Sequence, residues 1–172
     1  MARGARLSKT SVISVLTLFF QNGRRQSMER LDYRKIAPEA FGILGQLSVY
    51  GRKCGLDQTL VELVKLRASQ INGCANCVQL HAGSLRKLGE SETRLQLVVV
   101  WREAPCFSAR ERAALDWAEA VTLVAASQVP DAVFAAARAE FSDKELVDLT
   151  LAIVTINAHN RLAVAFRRAP GS

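Results

Sequence analysis

From Met28 to the C-terminus, apolar residues return at intervals of three or four and nowhere alternate singly with polar ones over a sustained run. That period puts an apolar stripe along an α-helix, whereas a half-buried strand needs a period of two. The chain is therefore expected to be all-α, a bundle of about six to seven helices. Pro38 suits a first helical turn, and Phe41, Leu44, Leu47 and Tyr50 repeat at three-residue steps, so a first helix should run to about Lys53 and stop at Gly55. Asp57 can cap a second helix with Leu60, Val61, Leu63, Val64, Ala68 and Ile71 on one side, broken by Asn72-Gly73. A third begins near the cysteines and runs through Leu88 to Gly89, and Ser91-Glu-Thr-Arg opens a fourth.

Two capping boxes set the second half. Ser108-Ala-Arg-Glu111 opens a helix carrying Leu115, Trp117, Ala118, Val121 and Leu123, which ends before Pro130. A short helix from about Asp131 precedes Ser142-Asp-Lys-Glu145, which starts the longest segment, Leu146 to Phe166. Leu149 to Ala158 is apolar on nearly all sides, so this helix is expected in the middle of the bundle. Trp101, Trp117 and the phenylalanines fit core positions at helical spacing. No repeat or Ser/Gly linker marks a second domain.

The formal charge of +7 would suggest nucleic acid if it were spread over the fold. It is not. Residues 1 to 27 hold Arg3, Arg6, Lys9, Arg24 and Arg25 with no acidic residue, and from Met28 onward 18 basic residues face 16 acidic ones. A near-neutral body without a basic stripe interleaved with aromatics offers no footprint for DNA or RNA. The basic start is followed by the apolar stretch from Ser11 to Phe20, loosely like a targeting segment. Ser and Thr interrupt that stretch, no small-residue cleavage site follows it, and a bilayer span needs about 20 apolar residues. Residues 1 to 27 are accordingly expected to be a leader upstream of a start at Met28, with one domain over 28 to 172, no membrane partner and a cytoplasmic location.

Chemistry concentrates in Glu62-Leu-Val-Lys-Leu-Arg-Ala-Ser-Gln-Ile-Asn-Gly-Cys74-Ala-Asn-Cys77-Val-Gln-Leu-His81. Helical steps of three and four place Cys74, Cys77 and His81 within about 60° of one another around the axis. The cysteines fall in the first turn, where unpaired backbone N–H groups and the positive end of the helix dipole favour thiolate over thiol. An imidazole one turn on can accept or return the proton. Three readings stand side by side: a redox dithiol, half of a zinc site completed by Cys54, Cys106, His159 or a carboxylate, and two small buried residues. Spacing and helix position favour the dithiol. Cys54 and Cys106 lack local partners and should pack as small hydrophobes. On a helical wheel Glu62 lies almost opposite the Leu60/Val64/Ile71 stripe with Lys65 one turn away, which by itself reads as a solvated surface pair. His159, in the apolar last helix, reads as a hydrogen-bonded core or interface histidine.

These residues resemble the carboxymuconolactone decarboxylase-like family in its alkylhydroperoxidase D (AhpD-like) branch. Glu62, Ser69-Gln-Ile-Asn-Gly-Cys-Ala-Asn-Cys77 and His81 reproduce that branch's E-x11-C-x2-C-x3-H signature. Further similarity extends through Met28-Glu-Arg-Leu-Asp-Tyr33, Trp101-Arg-Glu-Ala-Pro105, Glu111-Arg-Ala-Ala-Leu115 and Glu145-Leu-Val-Asp-Leu-Thr150. The resemblance implies an AhpD-like bundle assembled as a homo-trimer or homo-hexamer. It implies a thiol-dependent hydroperoxide reductase in which Cys77 attacks the peroxide, Cys74 resolves the sulfenic acid, and His81 with Glu62 relays the proton. No bound cofactor is implied; the reductant is an external dithiol such as a lipoylated protein. Asn76 departs from members that carry a second histidine there. A disulfide oxidoreductase or a non-catalytic redox sensor is the alternative, and lactone decarboxylation is disfavoured because enzymes of that kind generally lack the C-x-x-C pair.

Overall fold

The computed structural model describes residues 29–171, so the leader expected over residues 1 to 27 lies outside the described residues. Among the described residues nine α-helices follow one another without a strand: α1 (Tyr33–Ile36), α2 (Pro38–Gly51), α3 (Gln58–Ile71), α4 (Ala75–Lys87), α5 (Glu92–Leu97), α6 (Ala109–Thr122), α7 (Val124–Ser127), α8 (Asp131–Glu140) and α9 (Asp143–Ala165). Seven exceed one turn, and the two single turns, α1 and α7, are what the periodicity misses. Such short pieces carry too few apolar positions to show a period.

The helix starts follow side-chain chemistry. The Asp57 carboxylate accepts from the Leu60 N–H at 2.8 Å, and Ser108 with Glu111 and Ser142 with Glu145 form reciprocal capping boxes. Gly73, at φ +65°, turns the chain from α3 into the cysteine segment, a backbone conformation glycine adopts without steric penalty. The fourth predicted helix gives only α5 and then a 3-10 turn over Val98–Val100, where three consecutive β-branched residues oppose continuation of an α-helix.

Buried residues of α3 include Val61, Leu63 and Val64, all fully inaccessible, together with Leu66, Ala68 and Ser69. Each large apolar side chain so placed stabilises the fold by about 2 kcal/mol relative to exposure. One core cluster joins Leu60, Val61 and Val64 to Ala114, Trp117, Leu149 and Ile153, tying α3 to α6 and α9. A second joins Leu63 and Leu66 to Leu85, Val98, Trp101 and Leu115.

The long last helix touches α2, α3, α4, α6 and α8, so it does run through the bundle. Its apolar circumference is not wholly enclosed, however: Val147, Leu151 and Val154 form an exposed stripe, with Val154 at 50%. The centre of the bundle is α3, which packs against α4, α6 and α9, while α9 keeps an outer face. Phe134 departs from the core expectation at 47% exposure. No helix of the described residues is long and apolar enough to cross a membrane.

Candidate functional site

Cys74 is the N-cap of α4: its Sγ accepts from the Cys77 N–H at 3.3 Å, and its own N–H donates to the Ser69 carbonyl. The two cysteines, with Cα atoms 5.3 Å apart, are joined as a disulfide. Both are nearly inaccessible, Cys74 at 2% and Cys77 at 5%, within a small apolar cluster of Ala68, Ile156 and Ala163. The sulfurs thus sit at a helix N-terminus, where the backbone donors and dipole stabilise a thiolate when the pair is reduced.

One turn beyond Cys77, the buried His81 ring holds its Nδ1 2.7 Å from Glu62 Oε2. Glu62 Oε1 accepts from Lys65 Nζ at 3.0 Å. Burial alone would raise the Glu62 pKa, but the hydrogen bond and charge from His81 and the adjacent Lys65 ammonium hold it at about 2. The carboxylate is therefore ionised at neutral pH and can only accept, so His81 Nδ1 donates and Nε2 is left to exchange a proton. The Glu62–Lys65 pair expected on the surface exists, yet its side chains are only 12% and 10% exposed. A helical wheel carries no information on neighbours, and here α4 packs along this polar face of α3.

A pocket of about 390 Å³ opens beside these groups. α3 supplies Glu62 and Lys65, and α4 supplies Asn76, Cys77, Leu80 and His81. Cys77 lines it and Cys74 does not. The rest of the lining comes from Phe41 and Ser48 on α2, Thr155, Ile156 and His159 on α9, and Tyr33, Arg34, Arg52 and Arg168. Three of the four predicted site residues thus border one cavity, and the fourth is bonded behind it.

His159 is hydrogen-bonded, as expected, through Nε2 and Ser48 Oγ at 3.2 Å, and its ring meets Phe41 edge-on. Its presence in the same pocket as His81 was not foreseen. Its pKa is lowered, first by burial and then by the charges of His81 and Lys65, so the ring is neutral at pH 7. Being one of two histidines in the chain was the available signal. The arginines left no local sign, since they come from three separate segments. Cys54 and Cys106 are free and half-buried, each packed against a core cluster. Among the described residues no group of three or more His, Cys, Asp or Glu side chains is gathered as for a metal ion.

Residues 37–120 match the model of the carboxymuconolactone decarboxylase family. The uncharacterised protein YdfG of Bacillus subtilis is 37% identical over 137 residues, covering 80% of this chain and 93% of YdfG. A solved protein of unknown function from Agrobacterium tumefaciens, provisionally termed the antioxidant defence protein AhpD, superposes with a TM-score of 0.82 at 45% identity, covering 84% of this chain and 99% of its own. An uncharacterised peroxidase-related protein with an alkylhydroperoxidase AhpD core from Ralstonia eutropha shares the fold at a TM-score of 0.72 and 20% identity, covering 99% and 95% of the two chains.

Proposed function

The chain belongs to the carboxymuconolactone decarboxylase family, in its AhpD-like branch, and on that premise we propose that it is a thiol-dependent hydroperoxide reductase. The observation that carries the reading is the position of Cys77, at a helix N-terminus and on the wall of a pocket that also holds the His81–Glu62 pair.

In the reduced protein His81 Nε2 takes the Cys77 proton, and the ionised Glu62 steadies the resulting imidazolium through Nδ1. The Cys77 thiolate attacks the terminal peroxide oxygen. The O–O bond breaks, sulfur is oxidised to sulfenic acid, and the alkoxide leaves as an alcohol on receiving the proton from His81. Cys74 then attacks the sulfenic sulfur, water departs, and the Cys74–Cys77 disulfide forms. An external dithiol, of the lipoyl type, reduces that bond by exchange and becomes a disulfide itself. His159 keeps a neutral, hydrogen-bonded ring in the same cavity, which receives the peroxide.

The uncovered stripe of Val147, Leu151 and Val154 supports assembly of several copies, as a homo-trimer or homo-hexamer whose mass in solution would report it. The decisive assay follows peroxide consumption driven by dihydrolipoamide in the parent and in Cys77→Ser, with mass measurement of the oxidised parent. Sustained turnover in the parent, a fall to background in the variant and a Cys74–Cys77 disulfide are expected. An unchanged rate in Cys77→Ser would refute the mechanism, and a dithiol that oxidises once without turnover would instead identify a redox sensor.

A further inference from the structure

The arginines around the pocket have no role in the steps above. Arg34 enters from α1, Arg52 follows the last residue of α2, Arg168 follows α9, and Lys65 stands inside. Against these four, the pocket wall carries one carboxylate, Glu62, and that group is already engaged by His81 and Lys65. Arg34 lies 3.7 Å from Asp32, a carboxylate shared with Lys35 at 3.1 Å, and Arg168 approaches Glu29 at 3.9 Å. Among the described residues Arg52 enters no ion pair; its backbone N–H closes the end of α2 on Val49 and Tyr50, and its side chain lines the cavity. The same lining includes Tyr33, Phe41, Leu80 and Ile156. An apolar cavity carrying an excess of positive charge fits a ligand with an organic body and an anionic end. Guanidinium groups suit a carboxylate in particular, since their planar donors match its two oxygens.

We propose that the pocket prefers organic hydroperoxides bearing a carboxylate, with Arg52 as the residue that receives it. This rests on the hydroperoxide reductase reading for the reaction, though not for the binding. Hydrogen peroxide and neutral alkyl hydroperoxides reach Cys77 without using the cationic wall. An anionic hydroperoxide is held by both ends, its carboxylate on Arg52 and its peroxide beside Cys77 and His81, which lowers the entropy cost of alignment.

The test compares cumene hydroperoxide with its para-carboxylated analogue, molecules that differ only in the charged group. The full-length protein should show kcat/KM about tenfold higher for the carboxylated substrate, as expected for one charge-assisted contact at a partly exposed site. Raising the salt should shrink the ratio. Arg52→Ala should bring it close to one, Arg52→Lys should retain part of it, and Arg52→Glu should reverse it. A separate arm titrates 4-isopropylbenzoate into the Cys77→Ser protein by calorimetry, with and without Arg52→Ala. Binding that weakens about tenfold in the Arg52 variant supports the anion site even if no peroxide is turned over, in which case the reductase reading fails alone. Equal turnover of the two peroxides by the parent, or a preference and binding that survive Arg52→Glu, would overturn the proposal while leaving the reductase reading intact.

Discussion

His81 Nδ1 and Glu62 Oε2 lie 2.7 Å apart across 19 positions of sequence, one on α4 and the other on α3. The contact does two things. It joins the cysteine-bearing helix to α3, and it fixes the tautomer of the imidazole. An ionised carboxylate has no proton to offer, so the ring must present its Nδ1–H to Glu62, which leaves Nε2 for the proton transfer of the proposed mechanism.

Replacing the acceptor by an amide removes that constraint. In Glu62→Gln the side chain can donate as well as accept, and the stabilisation of the imidazolium is lost. Peroxide turnover should drop about a hundredfold, within the range supplied by a positioned acid–base group. The drop should appear equally in the alkylation rate of reduced Cys77 by iodoacetamide, with the helical circular dichroism unchanged. Undiminished alkylation would remove Glu62 from the relay. His81→Asn should resemble it, and the double variant should be little worse than either single one, because the two groups act as a unit.

The same contact makes a prediction about acid. Glu62 has a folded-state pKa of about 2 against an ordinary value of 4.5. A depressed carboxylate contributes stability that is fully present above 4.5 and is lost as the pH falls from there towards 2. Urea unfolding followed from pH 6 to pH 2.5 should therefore show a steeper fall for the parent than for Glu62→Gln. The comparison of the two proteins isolates this group, since other carboxylates titrate alike in both. Parallel curves would mean that the His81 and Lys65 contacts do not hold the carboxylate ionised.

How far the sequence foretells the structure depends on whether a signal is local. Asp57, Ser108 and Ser142 act within three residues of themselves, and the helices begin where these side chains say. Cys74, Cys77 and His81 share one helix and therefore one face, so their grouping was legible from spacing. Glu62 was not legible in the same way: its wheel position reads as solvent, and only the packing of α4 against α3 buries it. His159 and Arg52 are further examples, since they join the pocket only when α9 and the end of α2 fold over it. The exposed stripe of α9 misled the reading for the opposite reason, because an apolar surface records what a helix can bury, not what a single chain covers.

Cys74 should reveal its separate role on removal. It stands at 2% exposure and outside the pocket lining, so in the proposed mechanism it meets an oxidised Cys77 and not the peroxide. Cys74→Ser should still reduce one equivalent of hydroperoxide and then stall with Cys77 as a sulfenic acid, trapped by dimedone and seen by mass. Multiple turnover with dihydrolipoamide should slow about tenfold or more, by the loss of the fast internal exchange step. A Cys74→Ser protein that cycles at the parent rate would show that resolution does not pass through this residue.

The turn that delivers Cys74 is tied to α9 through three amides, of which Asn157 and Asn160 are buried and Asn72 half-buried. Asn72 Nδ2 donates to Asn157 Oδ1 at 2.6 Å and to Asn160 Oδ1 at 2.9 Å. Asn160 Nδ2 in turn donates to Ser69 Oγ at 3.1 Å, and the Ser69 carbonyl accepts from the Cys74 N–H at 3.0 Å. Asn160 is completely inaccessible, so replacing it by leucine takes a donor from the buried Ser69 hydroxyl, which keeps only its own bond to the Lys65 carbonyl, and an acceptor from the half-buried Asn72, which keeps Asn157. The cost should be about 2 kcal/mol in urea unfolding. Asn72→Ala removes the other end of the same bond and should cost a similar amount. Once one end is gone, part of the penalty has already been incurred, so the double variant should fall short of the sum by at least about 0.5 kcal/mol. Strict additivity would show that the two amides act separately, and that the cysteine turn is not held through α9.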